Sequence, residues 1–247
     1  MTEQTPWLLI DVGNTAIKWR LANAEGLLDA RGSVSDVRSL CQRVEAEPWG
    51  VAGLASVASD AVDAELMAAL TASREATVHR AAARLTCLGL VSGYAEPERM
   101  GVDRWLVMLA AHVHHEGALC VVDAGTAVTV DLMSAGGLHE GGYILPGADL
   151  MRRVLSSETD RIHVGALEAP TIGPGNNTQA CVTAGSWRAV IGAVQLTMAE
   201  HPEHRPLLTG GAATTLQNLG LAATHSPDLV MEGLRLWLSQ KLDDESP

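Results

Sequence analysis

The chain opens with a four-residue apolar run, Trp7 to Ile10, that stops at Asp11-Val12-Gly13-Asn14-Thr15; an alternating segment follows from Ala16 to Leu21. The Gly-Asn pair between them signals a hairpin. After the turn Asn23-Ala24-Glu25-Gly26, Leu27 to Ser33 reads as a third strand, so the chain begins as an antiparallel meander. The pattern then predicts a helix over Ser35 to Glu45, a buried strand over Val51 to Val57 and a second helix over Ala61 to Ala72. Cys87 to Met100 is rich in Gly and Pro and weakly periodic, and it leads into a helix starting near Val102. At Leu119 to Val122 an apolar run again ends in Asp123-Ala124-Gly125-Thr126, followed by alternation through Val128, Val130 and Leu132. Further expected elements are a strand at Leu138 to Ile144, helices at Ala148 to Ser156 and Thr178 to Glu200, a short strand at Pro206 to Leu208 and a last helix from Asp228 to Gln240. Strands alternating with helices favour an α/β sheet covered by helices.

The two openings are alike and lie 112 residues apart in a chain of 247. Two chance turns and an internal duplication are both compatible with so short a motif. Chemically, a strand followed by Asp-x-Gly and a small polar residue suits a phosphate: glycine permits close approach, exposed amides donate, and the Asp holds a metal ion or its water shell. Lys18, four residues past Asn14, adds a point charge. Neither GxxxxGK[ST] nor a GxGxxG opening a helix is present, so the segment is not a Walker-type or dinucleotide loop. Thr209-Gly210-Gly211 is a Gly-rich turn after a strand, suited to a flat nucleobase or ribose or simply to helix entry. Gly101-Val102-Asp103-Arg104 places a carboxylate and a guanidinium at a helix start. Such a pair can accept a proton and hold an anion in one pocket, or serve only as a helix-end charge and a surface ion pair.

Composition narrows the class. With 47% hydrophobic residues the chain is not disordered, and four scattered cysteines without a CxxC pair support neither a disulfide scaffold nor a zinc site. A net charge of −12 argues against binding nucleic acid. The N-terminus lacks a signal-peptide pattern, and charges or glycines interrupt every apolar run before the roughly 20 residues that span a bilayer. The expectation is a soluble, cytoplasmic protein with no membrane partner. The chain has no Phe and only two lysines, Lys18 and Lys241, which makes the place of Lys18 in the first turn worth weighing. His112, His114 and His115 read as a solvated helix end, Arg152 and Arg153 as helix-surface residues, and Trp105 and Trp187 as packing residues.

Taken in order, Asp11-Val-Gly-Asn-Thr, Gly101-Val-Asp-Arg, Asp123-Ala-Gly-Thr-Ala, Gly141-Gly-Tyr-Ile-Leu-Pro-Gly147, Asn177-Thr178 and Thr209-Gly-Gly resemble the type III pantothenate kinases, from Trp7 to the last helix. The resemblance implies an α/β fold of two duplicated actin-like, ribonuclease H-like halves with mixed five-stranded sheets flanked by helices. The halves would be residues 1–115 and 116–247, with the active site in the cleft between them. It implies ATP-dependent phosphorylation of pantothenate, the first step of coenzyme A biosynthesis, with magnesium and a monovalent cation, potassium or ammonium. By the same resemblance Asp11, Val12, Gly13, Asn14, Thr15 and Lys18 bind phosphates, with Asp11 near the magnesium, and Thr126, Gly210 and Gly211 contact ATP. Asp103 is similar to the catalytic base, while Tyr94, Gly101, Val102 and Arg104 resemble pantothenate contacts. Asp123 resembles the monovalent-cation ligand. Thr178 resembles a residue reaching pantothenate from the neighbouring subunit, which implies a homodimer. Ala212 departs from the family pattern, where many members carry Asp, and bears on a ribose or base contact. The alternatives are an accessory or regulatory protein of the same family, or a superfamily kinase for another small alcohol; the Gly101 to Arg104 segment is the discriminator.

Overall fold

The computed structural model describes residues 5–74, 76–159, 162 and 169–245, and the chain divides into two units, 1–114 with 229–247, and 115–228. In the first, β1 (Trp7–Val12), β2 (Ile17–Ala22) and β3 (Leu27–Val34) form the expected antiparallel meander. The chain continues through α1 (Val37–Val44), β4 (Val51–Ser56), α2 (Asp60–Arg74) and β5 (Thr77–Arg80). Asp36 caps α1, its carboxylate accepting the Ser39 N–H at 2.8 Å. Strand order is β3-β2-β1-β4-β5, with β4 parallel to both β1 and β5. This makes β1 central, and Leu8, Leu9 and Ile10 are fully buried in it on both faces. β5 was not expected from the sequence: Thr77-Val78-His79-Arg80 carries one strongly apolar side chain and becomes a strand by pairing with β4 at the sheet edge. A small ribbon, β6 (Thr86–Cys87) and β7 (Leu90–Val91), precedes α3 (Val102–His114).

The second unit repeats this plan. β8 (Leu119–Ala124), β9 (Ala127–Met133) and β10 (His139–Pro146) form a meander. They are followed by α4 (Ala148–Ser157), α5 (Thr178–Glu200), β11 (Arg205–Thr209), α6 (Ala213–Asn218) and β12 (Thr224–His225). Strand order β10-β9-β8-β11-β12 matches the first sheet position for position, and again the first strand of the meander is parallel to the strand that returns after the helices. Cys120, Val122, Val128, Val130 and Leu208 on one sheet face pack against Trp187, Val190, Ile191 and Val194 of α5. Asp11 and Asp123 thus fall at equivalent places, near the ends of β1 and β8, so the duplication reading prevails over chance turns.

The last helix, α7 (Leu229–Glu245), corrects the expected boundary at residue 116: it belongs to the first unit. The reason is packing. Gly233 lies against the backbone of Leu106 in α3, and Leu234 and Leu238 lie 3.3–3.5 Å from the position a Cβ would take on Gly53 in β4. Absence of two side chains lets α7 lie directly on α3 and the first sheet. Among the described residues no helix is long and apolar enough to cross a membrane.

Candidate active site

In the first unit, strand register decides which polar groups meet. The β1–β2 turn is closed by the Gly13 N–H donating to the Ala16 carbonyl at 3.1 Å, and that loop length sets Asp11 directly opposite Lys18. Lys18 is exposed, as are Asn14 and Thr15, whereas the Val12 side chain lies in the core and leaves only its backbone available to a ligand. Burial pushes the Asp11 carboxyl up from the ordinary 3.8 to about 6; the Lys18 charge opposes the rise and the Asp103 carboxylate adds to it. Asp103 comes from the first turn of α3, where its Oδ1 accepts the Arg104 N–H at 2.8 Å. Gly101 provides the room: a Cβ there would sit 2.6 Å from that same oxygen. Asp11, Lys18 and Asp103, separated by up to 92 positions in the chain, therefore form one electrostatic neighbourhood.

Arg104 and Tyr94 are brought together as well. The Arg104 guanidinium donates to the Tyr94 hydroxyl at 2.7 Å and lies 5.7 Å from the Tyr94 ring centre, although Arg104 is only 5% exposed. Val102 is buried.

In the second unit the Asp-x-Gly turn is braced from two sides. Gly210 adopts φ +90°, and a Cβ on it would collide with the Asp123 carboxylate and the Ala124 backbone; the Ala212 N–H donates to the Ala124 carbonyl at 2.9 Å. On the other side the Gly147 N–H donates to the Thr126 carbonyl at 2.9 Å, and a Cβ on Gly147 would lie 2.6 Å from the Gly125 oxygen. Asp123, Thr126, Gly210 and Gly211 are thus gathered at one end of the second sheet, with Thr126 and Gly211 exposed. Ala212 is the N-cap of α6 and offers no side-chain capping bond. Thr178 stands exposed at the head of α5, whose N-cap Asn177 accepts the Ala180 N–H at 3.0 Å.

Other expectations resolve plainly. Trp105 and Trp187 pack in the interior. His114 is paired with Glu232 at 2.7 Å, which accounts for one member of the histidine cluster. Arg152 differs from expectation: it is 6% exposed and bound to Asp149 at 3.1 Å, because α4 turns that face inward, while Arg153 is exposed. The cross-strand partnership of Asp11 and Lys18 follows from the loop length; apart from the family resemblance, which assigns both Asp11 and Asp103 to one active site, no sequence signal announces that the Asp103 charge acts on Asp11.

Two units of one topology, each with an Asp-x-Gly turn at the end of its first strand, define the actin-like and sugar-kinase class of folds. Solved structures agree on the fold. A Campylobacter jejuni protein named after the Baf family of transcriptional activators aligns with TM-score 0.63 at 19% identity, covering 96% of this chain and 99% of that one. MreB 5 of Spiroplasma citri aligns with TM-score 0.51 at 9% identity, covering 99% and 100%. The sequence is more particular: a family model described as type III pantothenate kinase matches residues 7–200. Type III pantothenate kinases of Marinobacter nauticus and Aromatoleum aromaticum are 38% and 36% identical, each over 92% of this chain and 96% and 95% of their own lengths. The chain belongs to the type III pantothenate kinase family.

Proposed function

We propose that the chain transfers the terminal phosphoryl group of ATP to the primary hydroxyl of pantothenate, opening coenzyme A biosynthesis, and that it works in the cytoplasm. In a chain of this family, the observation that carries the reading is the cross-strand pairing of Asp11 with Lys18 beside the first Asp-x-Gly turn, with the Asp103 charge acting on Asp11. Gly13 supports it. A Cβ there would meet only the Ala16 oxygen, at 3.5 Å, and φ is not positive, so its own fold does not demand glycine, whereas a phosphate lying on the backbone would. Gly211 is equally uncrowded, which suits the ATP contact assigned to Gly210, Gly211 and Thr126.

Two cations fit the donor sets. Asp11, a carboxylate held unfavourably by burial and by Asp103, is relieved by a divalent ion, and it would hold magnesium, which when bound neutralises phosphate charge during transfer. Asp123 is a hard oxygen donor fixed against Gly210 and would hold potassium or ammonium. Phosphoryl transfer passes through a loose transition state, so the protein's part is positioning and charge stabilisation. Arg104, oriented by Tyr94, holds the pantothenate carboxylate, with the Gly101 and Val102 backbone alongside. Asp103 orients the hydroxyl and accepts its proton as the new P–O bond forms, the bond to the β-phosphate breaks and ADP departs. Thr178 would reach substrate in a partner copy, a role supported by its exposure at the head of α5. Homodimer formation is further supported by an apolar groove between α4 and α5, lined by Met151, Leu155 and Val182, with Val154 and Leu196 exposed on the same helices.

The alternative of an accessory protein without catalysis gains nothing from the geometry, since Asp11 and Asp103 are kept together. The test is ADP release with pantothenate, compared with pantetheine and simple sugars, with and without potassium. We expect pantothenate-dependent turnover, and Asp103→Asn to lower kcat by about 10²–10⁴ with the KM for ATP nearly unchanged. A folded protein without pantothenate-dependent ADP release overturns the activity, and near-wild-type turnover in the variant removes Asp103 from the base role.

A further inference from the structure

The turn joining α5 to β11, His201-Pro202-Glu203-His204, lies outside every motif of the candidate active site. His201 caps α5, its N–H donating to the Thr197 carbonyl at 3.0 Å. Pro202 cannot continue the helix, and the His204 N–H returns to the His201 carbonyl at 3.0 Å. The closed turn sets His201, Glu203 and His204 around one point: one ligand atom from each lies within 4.8 Å of the other two, the single such grouping among the described residues. His204 Nδ1 is 3.0 Å and His201 Nδ1 3.8 Å from Glu203 Oε1, and the two rings are nearly perpendicular.

His204 itself points to a ligand. Its side chain is 4% exposed, and its Nε2 is 2.8 Å from Glu140 Oε2. Glu140 stands at the irregularity where β10 slips register against β9, between His139 and Gly141, which re-aims its side chain. The buried Nδ1 makes no hydrogen bond of acceptable geometry, although the Glu203 oxygen is close. A ring nitrogen and a carboxylate oxygen 3.0 Å apart without donor-to-acceptor alignment can pair by charge alone or serve as two ligands of a third atom. A ring nitrogen on a metal with the opposite N–H held by a carboxylate is the usual pattern of a histidine ligand and its supporting residue.

We propose that His201, Glu203 and His204 form a binding site for a divalent first-row transition metal, zinc in particular, with Glu140 positioning His204. Two imidazoles and one carboxylate suit zinc and leave a fourth position for water; magnesium and potassium, which take oxygen ligands, are poorly matched, so the site is separate from the cations of phosphoryl transfer. Tetrahedral zinc at 2.0–2.1 Å from each ligand needs ligand atoms about 3.3 Å apart. The two distances to Glu203, 3.0 and 3.8 Å, bracket that spacing, the two histidine ligand atoms lie within 4.8 Å of each other, and exposed Glu203 and half-buried His201 have room to adjust around the buried His204. Bound metal would tie the end of α5, through His204 and Glu140, to the edge strand β10.

The test titrates the metal-free full-length chain with zinc against a chromophoric chelator near neutral pH and records the visible spectrum with cobalt. Expected are one equivalent of tight zinc, unaffected by excess magnesium, and a cobalt spectrum without thiolate charge-transfer bands. His201→Ala and His204→Ala should each weaken binding at least tenfold, and Glu140→Gln about tenfold or more. Because His204 is buried and its loss could unfold the second unit, the His201→Ala result decides. No saturable binding at micromolar zinc overturns the proposal. So does binding unchanged in His201→Ala, or a thiolate band that assigns the metal to cysteines.

Discussion

Asp11 carries two opposed demands. Its place at the end of β1 puts it in the first Asp-x-Gly turn, and the same place desolvates it, so its carboxyl is pushed up to about 6. In the unfolded chain it titrates near the ordinary 3.8. Between those values the folded state binds the extra proton, so this group's contribution is fully present below the unfolded value and is lost as pH rises through 6. In nucleotide- and metal-free protein, Asp11→Asn should therefore match the wild type in stability near pH 4 and exceed it near pH 7, by at most about 3 kcal/mol because the residue is partly exposed. Urea midpoints across that range are the measurement; parallel pH profiles would show that burial imposes no penalty on Asp11. Lys18 illustrates what register adds. Sequence places it seven residues from Asp11, and the hairpin makes it the cross-strand partner.

Among the elements, the α3–α7 pair shows how glycine sets a packing distance. Alanine is about 1 kcal/mol better than glycine inside a helix. At Gly233 that gain competes with a Cβ placed against the Leu106 carbonyl and 2.6 Å from its carbon, and backbone cannot swing aside as a side chain does. Overpacking of this kind costs about 1–3 kcal/mol, so Gly233→Ala should lower the urea midpoint at an unchanged m-value. Gly192 in α5 is the matched control: exposed, with nothing within 4 Å of its Cβ position, it should gain up to about 1 kcal/mol as alanine. A stabilised Gly233→Ala would mean that the two helices are free to separate. Helices themselves were legible in the sequence, since α3 and α5 carry long apolar stretches, but nothing in the sequence said which helix lies on which.

For the whole molecule, the return of α7 makes the first unit discontinuous. Removing residues 229–247 would strip the cover from Gly53 and Leu106 in the first unit and delete no residue of the second unit's core cluster, to which α4, α5 and α6 contribute. We expect the truncated chain to lose amide-exchange protection in β1 and β4 while β8 and β9 stay protected. Loss in both units together, or in neither, would contradict this division.

The sequence by itself determined the two meanders, the main helices and the paired Asp-x-Gly turns, because those depend on periodicity and turn chemistry over a few neighbouring residues. Ordered motifs also carried the family resemblance and with it the candidate site residues. Only the tertiary structure decided that the Asp103 charge acts on Asp11, that Gly210 and Gly147 brace the second turn, that Arg152 is buried, that α7 joins the first unit, and that Glu140 reaches His204. Each of these depends on the distance between groups far apart in the chain, and that distance is fixed by strand order, register and helix packing acting together.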